Sequence, residues 1–206
     1  MSTALIEEMM KIQDKLNSSL NPDWINQGWD FNLAANIEMV EAVEHVGWKW
    51  WKHQTPNIDQ ARMEMVDILH FLLSEFICRG LEAGDISCEV NNTWTLPVEV
   101  DPKKFLRTAK WFISAETTAT KLHQFVNAYH SLGMSFDDLS RMYYSKVLLN
   151  EFRWRNGYKE GTYVKIWNGR EDNEVLMEVL SNQETIDAAA VVEQLQEIYN
   201  SVVAQS

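Results

Sequence analysis

Cysteine, glycine and proline are scarce in this chain of 206 residues. The two cysteines, Cys78 and Cys88, form no Cys-x-x-Cys pair and have no histidine cluster beside them, so we expect neither a structural disulfide nor a zinc site. Only 8 glycines and 4 prolines interrupt the chain. So few helix breakers favour an all-helical protein over a β protein with many turns.

Basic residues are also few: the chain has 18 lysines and arginines and 30 aspartates and glutamates, which give a formal net charge of −12. This balance excludes a broad basic surface, so we expect neither nucleic acid nor membrane as a partner. The longest apolar stretch, residues 68–78, contains His70, Ser74 and Glu75 and is shorter than the ~20 residues that cross a bilayer. Residues 1–11 lack a signal-peptide core, and we expect a cytoplasmic protein.

Hydrophobic residues recur at three- and four-residue spacings in several segments, as they do in helices with one buried face. Helices are predicted over 3–20, 31–52, 58–78, 103–131 and 136–156, followed by one or two helices near 173–203. Residues 83–102 show no helical period and are expected to form a loop. The sequence therefore predicts a single all-α domain over 1–206, a bundle of about six or seven helices with a C-terminal helical segment over 173–206.

Two pairs of acidic residues have the same spacing on predicted buried helices. Glu38 and Glu41 form one pair, and Glu64 and Asp67 form the other. Residues three positions apart lie about 60° apart around a helix, so both carboxylates of a pair can face one target. Four ionised carboxylates close together repel one another unless a cation or hydrogen-bond donors compensate them.

A divalent cation is the simplest compensation for these carboxylates. Oxygen ligands without cysteine select a hard ion, Mg²⁺ or its substitute Mn²⁺, which keeps positions open for water and phosphate oxygens. The number of ions stays open. The alternative is that some of these acids lie on a solvated face, most of all Glu38 and Glu41, because Glu44 continues the charge.

A strip of two cations and an amide follows on the helix that Ser135 is expected to cap. Lys146, Asn150 and Arg153 are spaced by four and three residues and share one side of that helix. Such a strip suits phosphate oxygens, which arginine can bind two at a time. Further donors in the following loop are Tyr158, Lys159, Tyr163 and Lys165, although Lys165 can equally be a solvated surface charge.

The sequence lacks the Gly-rich and nucleophile-elbow motifs that hold phosphate or attack esters in other enzymes. Any phosphate must therefore be held by metal ions and side chains. Trp48, Trp50 and Trp51 offer a face for stacking a base, but core or dimer-interface roles are the better interpretation for at least two of them. His70, one turn after Asp67, is expected to be a hydrogen-bonded core residue rather than a metal ligand.

These residues in this order resemble the dimeric, all-α dUTPase family, within the MazG-like superfamily of all-α NTP pyrophosphohydrolases. The resemblance rests on the two acidic pairs, Gln13 and Asn17, the Trp-Lys-Trp-Trp-Lys run, Asp67-Ile-Leu-His70-Phe71, and the block from Lys146 to Asn173. It covers nearly the whole chain apart from 83–102 and the last 30 residues.

The resemblance implies a homodimeric enzyme that hydrolyses dUTP, and also dUDP, to dUMP. It implies Mg²⁺ bound by Glu38, Glu41, Glu64 and Asp67, which would be the catalytic residues. It further implies a substrate site with Gln13, Asn17 and Trp50 around the uracil, Phe71 packed on the deoxyribose, Asn150 at the sugar, and Lys146, Arg153 and Lys159 at the phosphates. His70, Tyr158 and Lys165 are further candidate substrate-binding residues. Glu38 is our choice for the base, and attack at the β-phosphorus follows the family.

Two other functions remain open from the sequence. One is a dCTPase or a broad dNTP pyrophosphohydrolase of the same superfamily. The other is a non-catalytic helical protein that binds a protein partner, which intact metal ligands argue against. The dNTP preference and the effect of removing an acidic residue discriminate among them.

Overall fold

The structure, a computed structural model, describes residues 3–92, 99–181 and 187–204 and contains nine α-helices within them. Their bounds are α1 Thr3–Leu20, α2 Phe31–Val46, α3 Ile58–Cys78, α4 Ala83–Asn92, α5 Pro102–Ile113, α6 Thr118–Ser131, α7 Phe136–Arg155, α8 Asp172–Ser181 and α9 Ala188–Val203. A 3₁₀ turn covers Trp24–Asn26. The predicted all-α fold is confirmed, with more helices than the six or seven expected.

The chain divides into two compact units, Met1–Leu139 and Ser140–Ser206. In the first unit, α3 is the central element: α1, α2 and α6 all pack on it, and α5 pairs with α6. Thirteen residues of α3 are buried, on every side of the helix, which is why its sequence is so apolar. The single-domain organisation over 1–206 stays a prediction.

The second unit contains most of α7, the two C-terminal helices and a short hairpin. Its strands, β1 Ile166–Trp167 and β2 Arg170–Glu171, are antiparallel, and Trp167 pairs with Arg170. Asn168 and Gly169 form the turn with φ values of 51° and 82°. Asn-Gly is the pair that adopts such positive φ values most readily, so the turn follows directly from the sequence.

Three sequence predictions about helix bounds are wrong. The helix predicted over 31–52 ends at Val46, because Gly47 adopts a left-handed φ of 81° and turns the chain away. The helix predicted over 103–131 is two helices, since Thr117 caps α6 by accepting a hydrogen bond from Thr120 N. Residues 83–92 of the predicted 83–102 loop form α4, whereas 93–98 lie outside the described residues.

Across the described parts of the chain, no helix is both long enough and apolar enough to pass through a bilayer.

Candidate active site

Two antiparallel helices carry the predicted metal ligands, and their ends are fixed by local hydrogen bonds. Asp30 caps α2 by accepting from Leu33 N at 2.8 Å, and Asn57 caps α3 by accepting from Gln60 N at 3.2 Å. The backbone N–H of Asn57 also donates to the carbonyl of His45 at 2.8 Å. This bond joins the end of α2 to the start of α3, so the acids on both helices are held in register.

Three of the four predicted acids come together at this junction. Carboxylate oxygens of Glu38, Glu41 and Glu64 lie within 4.8 Å of one another. Glu64 is buried at 6 % exposure, Glu38 is partly buried and Glu41 is exposed. Charges of one sign this close destabilise the fold unless a cation or donors compensate them, and three hard oxygen donors fit a divalent ion such as Mg²⁺.

Asp67, the fourth predicted ligand, is not part of this group of mutually close oxygens. It is partly buried on α3, one turn beyond Glu64, and is engaged in interactions of its own. The i,i+3 spacing therefore brings Glu38 and Glu41 together on α2 but does not bring Asp67 to the same point. Its role as a ligand stays a prediction.

His45 is a neighbour of the acidic cluster that the sequence analysis does not identify. Its Nε2 lies 3.3 Å from Oε1 of Glu64, and its side chain is about one-third exposed. His45 follows Glu41 by four residues, so it lies on the same side of α2, one turn further along. The four-residue spacing from Glu41 is the sequence feature that could have identified His45.

Gln13 and Asn17, predicted to frame the uracil, lie in a buried hydrogen-bond network between α1 and α3. The Gln13 amide nitrogen donates to Asn17 Oδ1 and to Ser74 Oγ, both at 3.1 Å, and Asn17 donates to Ser74 Oγ at 2.9 Å. Gln13 Oε1 lies 2.7 Å from His70 Nδ1. Because the Gln13 amide nitrogen donates to Asn17 and Ser74, the atom that faces His70 is the amide oxygen, which can only accept a hydrogen bond. The proton of the neutral His70 ring is therefore assigned to Nδ1.

This network makes His70 a buried, hydrogen-bonded residue, as the sequence predicts. Ser74 is the member that the sequence analysis does not identify. Phe71, the next residue on α3, is only partly buried.

The three tryptophans of the Trp-Lys-Trp-Trp-Lys run lie in the loop after α2 and not on the helix. Their rings meet edge to face, with Trp51 5.1 Å from Trp48 and 5.3 Å from Trp50 between centroids. All three are exposed, and Trp50 is 89 % exposed. None belongs to the core of the first unit, so the core interpretation is wrong, and the interface role stays a prediction.

In the second unit, Lys146 and Arg153 of the predicted phosphate-binding strip are buried, Asn150 is partly buried, and all three are hydrogen-bonded within the protein. Arg153 donates from Nε and Nη2 to the two carboxylate oxygens of Asp172, both at 2.8 Å, and from Nη1 to Asn150 at 3.3 Å. Lys146 donates to Asn173 Oδ1 at 2.9 Å. Asp172 and Asn173 are thus structural partners of the strip that spacing on α7 cannot reveal.

Asp172 is fully buried. Burial by itself raises the pKa of this carboxyl, but the hydrogen bonds and charge of Arg153, with the Tyr163 hydroxyl and Lys146, outweigh it and lower the pKa below its usual value.

The predicted donors of the following loop are less enclosed. The Arg153 guanidinium lies 5.9 Å from the Tyr158 ring centroid, and the Lys159 ammonium lies 5.0 Å from that of Trp154. Lys165 is exposed and pairs with Glu171 at 3.1 Å, a surface ion pair of small energetic value. The structure thus favours a surface position for Lys165, the alternative raised from the sequence.

The fold and the acidic cluster define an all-helical protein with a candidate divalent-cation site between two antiparallel helices. The family model described as dUTPase matches residues 5–158. The chain therefore belongs to the all-α dUTPase family, in agreement with a MazG-like placement, and it is a dUTP diphosphatase, a hydrolase of nucleoside triphosphates. No curated protein matches it at a significant level.

Proposed function

We propose that this dUTPase uses Mg²⁺ to hydrolyse dUTP to dUMP and pyrophosphate, and that it also converts dUDP to dUMP and phosphate. One observation carries the proposal: carboxylates of Glu38, Glu41 and Glu64 converge within 4.8 Å from two helices. An enzyme without a phosphate-binding loop needs a cation to hold a triphosphate, and such a group of oxygens suits a hard divalent ion.

The proposed ligands are Glu38, Glu41, Glu64 and Asp67, with Mn²⁺ as a substitute metal. When bound, Mg²⁺ would supply Lewis-acid polarisation of a phosphoryl group and activation of the attacking water. A carboxylate oxygen of Glu38 accepts the proton of that water. Glu38 suits this role because it is less exposed than Glu41 and less enclosed than Glu64. The attacked atom is the β-phosphorus, by analogy with the family.

Side chains of α7 and of the loop that follows it are proposed to bind phosphate oxygens. Arg153, Lys146 and Lys159 are proposed to bind phosphate oxygens, with Tyr158 and Lys165 as further donors. Arginine is suited to this because its planar guanidinium presents several N–H groups in a fixed geometry. Asn150, whose Oδ1 already lies 3.3 Å from Arg153 Nη1, is proposed to hold the sugar.

Base recognition is proposed to use the amides of Gln13 and Asn17 together with Trp50. Each amide carries both a donor and an acceptor, as the Watson–Crick edge of uracil requires. Their hydrogen bonds to Ser74 and His70 hold both amides in defined orientations before a nucleotide arrives. Phe71 is proposed to pack on the deoxyribose, where a 2′-hydroxyl would clash, and His70 to contribute beside it.

A homodimer is proposed as the active form, in the cytoplasm. Support for the dimer comes from α2, where Leu33, Ile37 and Val40 are each about half exposed and lie along one side of the helix. Monomeric proteins rarely leave a continuous apolar stripe in water, and a second copy of the chain would cover it. Sedimentation of wild type and Ile37→Asp tests this: a wild-type monomer at micromolar concentration would contradict it.

The experiment that tests the function is a rate comparison over dUTP, dUDP, dCTP and the other dNTPs, with Mg²⁺, with Mn²⁺ and with chelator. We expect dUTP and dUDP to be preferred and chelator to abolish turnover. Glu64→Ala and Asp67→Ala are expected to lose at least ~100-fold in rate while staying folded. The matched control is Glu116→Ala, an exposed acid outside the cluster.

A preference for dCTP of tenfold or more would overturn the proposed uracil specificity and favour a dCTPase. Similar rates on all dNTPs would favour a broad pyrophosphohydrolase. Full activity of Glu64→Ala and Asp67→Ala would discredit the acidic cluster as the metal site.

A further inference from the structure

Asp172 lies at the centre of the hydrogen bonds that hold Arg153. Its two oxygens accept from Nε and Nη2 of the guanidinium, both at 2.8 Å, in a paired arrangement that fixes the plane of the group. The carboxylate has no solvent exposure, so it is not a surface ion pair that forms and breaks in water. The orientation of Arg153 is thus set by one buried acid.

Asn173 extends the same arrangement to the lysine of the strip. Its Oδ1 accepts from Lys146 Nζ at 2.9 Å and from Arg153 Nη2 at 3.3 Å. Asp172 and Asn173 are the first two residues of α8, so one helix start holds both cations of α7.

One tyrosine contacts Asp172, and a second tyrosine packs on the first. The Tyr163 hydroxyl donates to Asp172 Oδ2 at 2.7 Å. Its ring stacks on Tyr199 of α9, with centroids 5.2 Å apart and an interplanar angle of 15°. The Tyr199 hydroxyl accepts from the backbone N–H of Val164 at 3.2 Å, so α9 fixes both the ring and the backbone of this segment.

We propose that Asp172, Tyr163 and Tyr199 are positioning residues for the phosphate-binding cations, with Asp172 fixing Arg153 directly and the two tyrosines fixing Asp172. The proposal rests on the proposed function of Arg153 and Lys146. It assigns a role to α9, which lies beyond the residues 5–158 that match the family.

The geometry gives the reason for this arrangement. Asp172 occupies the Nε and Nη2 edge of Arg153, and Nη1 donates to Asn150 Oδ1 at the longer distance of 3.3 Å, so a phosphate oxygen that binds Nη1 replaces or shares this contact. A guanidinium fixed in advance loses little conformational entropy when it binds an anion. Without the tyrosine hydroxyl and the stacked ring, the carboxylate has fewer restraints and Arg153 samples more orientations.

The test measures KM for dUTP, the inhibition constant of inorganic pyrophosphate, kcat and the Mg²⁺ concentration for half activation. Tyr163→Phe removes one hydroxyl and keeps the stacked ring, and we expect KM and the pyrophosphate constant to rise together by about two- to tenfold. The Mg²⁺ requirement should stay unchanged. Asp172→Asn should raise both constants further, by roughly ten- to a hundredfold.

Tyr199→Leu removes the stacked ring and is expected to resemble Tyr163→Phe. The matched control is Tyr129→Phe, because the Tyr129 hydroxyl is buried in the first unit without a hydrogen-bond partner among the described residues. It should leave all four quantities unchanged. In an Arg153→Lys background, Tyr163→Phe should raise KM and the pyrophosphate constant by less than a further twofold. A lysine cannot form the paired contact with Asp172, so the hydroxyl has little left to restrain.

A purely structural role would lower kcat through a smaller folded fraction and leave KM and the pyrophosphate constant as in wild type. That result in Tyr163→Phe, or full additivity with Arg153→Lys, would overturn the inference even if Asp172→Asn fails to fold. A wild-type protein that does not turn over dUTP with Mg²⁺ would instead contradict the proposed function.

Discussion

Nε2 of His45 lies 3.3 Å from Oε1 of Glu64, across the junction of α2 and α3. The same junction is closed by the backbone hydrogen bond from Asn57 to the His45 carbonyl. His45 therefore contacts α3 through both its side chain and its backbone. Glu64 is the most buried member of the acidic cluster, so its orientation depends on this neighbour more than on solvent.

Replacing His45 is expected to weaken metal binding. Groups beside a metal ligand restrict its orientation, and their loss costs about 10- to 100-fold in metal affinity. We predict that His45→Ala raises the Mg²⁺ concentration for half-maximal dUTP hydrolysis by about tenfold, with kcat at saturating Mg²⁺ changed much less. His53→Ala, at an exposed histidine outside the cluster, is the control. An unchanged Mg²⁺ titration in His45→Ala would show that Glu64 needs no such restraint.

The acidic cluster also predicts a stability effect of Mg²⁺ that does not depend on turnover. A ligand at 100 times its Kd stabilises a protein by about 2.7 kcal/mol, which for this chain length raises Tm by roughly 5–10 °C. Glu64→Gln should abolish this shift. Without metal it should unfold no earlier than wild type, because it removes one of three mutually repelling charges.

Differential scanning calorimetry with Mg²⁺ and with chelator measures both effects. Glu116→Gln is the control, since it removes an acid of the same type from an exposed position and should retain the full shift. A full shift in Glu64→Gln would place the ion elsewhere.

The start of a helix was predictable where a side chain caps its N-terminus. Asn57 opens α3 and Ser135 opens α7, each by accepting a backbone N–H three residues on. Gly47 gave a weaker signal, because a glycine within an apolar period is compatible with a continuing helix until its positive φ is known. The amphipathic pattern of α4 was hidden by Gly84 and by its short length.

The candidate site was predictable to the extent that it lies on single helices. Spacing placed Glu38 beside Glu41 and Lys146 beside Asn150 and Arg153. It could not indicate how two helices meet, and so it missed Ser74, which the fold brings to Gln13 from 61 residues away. Asp172 was missed for the same reason, because a buried acid in a charged stretch has no periodic signature.

The cap of α7 predicts a measurable stability change. Ser135 Oγ accepts from Asp138 N at 3.1 Å, while the Asp138 carboxylate accepts from Ser135 N at 2.9 Å. We expect Ser135→Ala to lower the free energy of unfolding by about 1 kcal/mol, measured by urea denaturation. Ser135→Thr, which keeps the hydroxyl that accepts from Asp138 N and donates to the Asp138 carboxylate, should recover most of the loss. A loss below a few tenths of a kcal/mol would mean that the cap does not stabilise α7.

Acid should destabilise the first unit through His130. This side chain is buried on α6, and Nδ1 has no hydrogen-bond partner among the described residues. Burial, and then the charge of Lys104, lower the pKa of His130 below its usual 6.5. The unfolded chain therefore binds the proton more tightly, and the free energy of unfolding falls as the pH drops from about 6.5 toward the folded pKa. Above about 6.5 the imidazole is neutral in both states and adds no slope.

His130→Phe keeps a ring beside Tyr129, whose centroid lies 4.7 Å away, and removes the titrating group. We predict that Tm measured from pH 7.5 to 5.0 falls less steeply in His130→Phe than in wild type, whereas the two curves run parallel above about pH 6.5. His123→Phe, at an exposed position on the same helix, is the control and should keep the wild-type slope. If His130→Phe and wild type lose Tm equally below pH 6.5, His130 accepts its proton in the folded protein as readily as in the unfolded chain, and the acid sensitivity originates in the carboxylates.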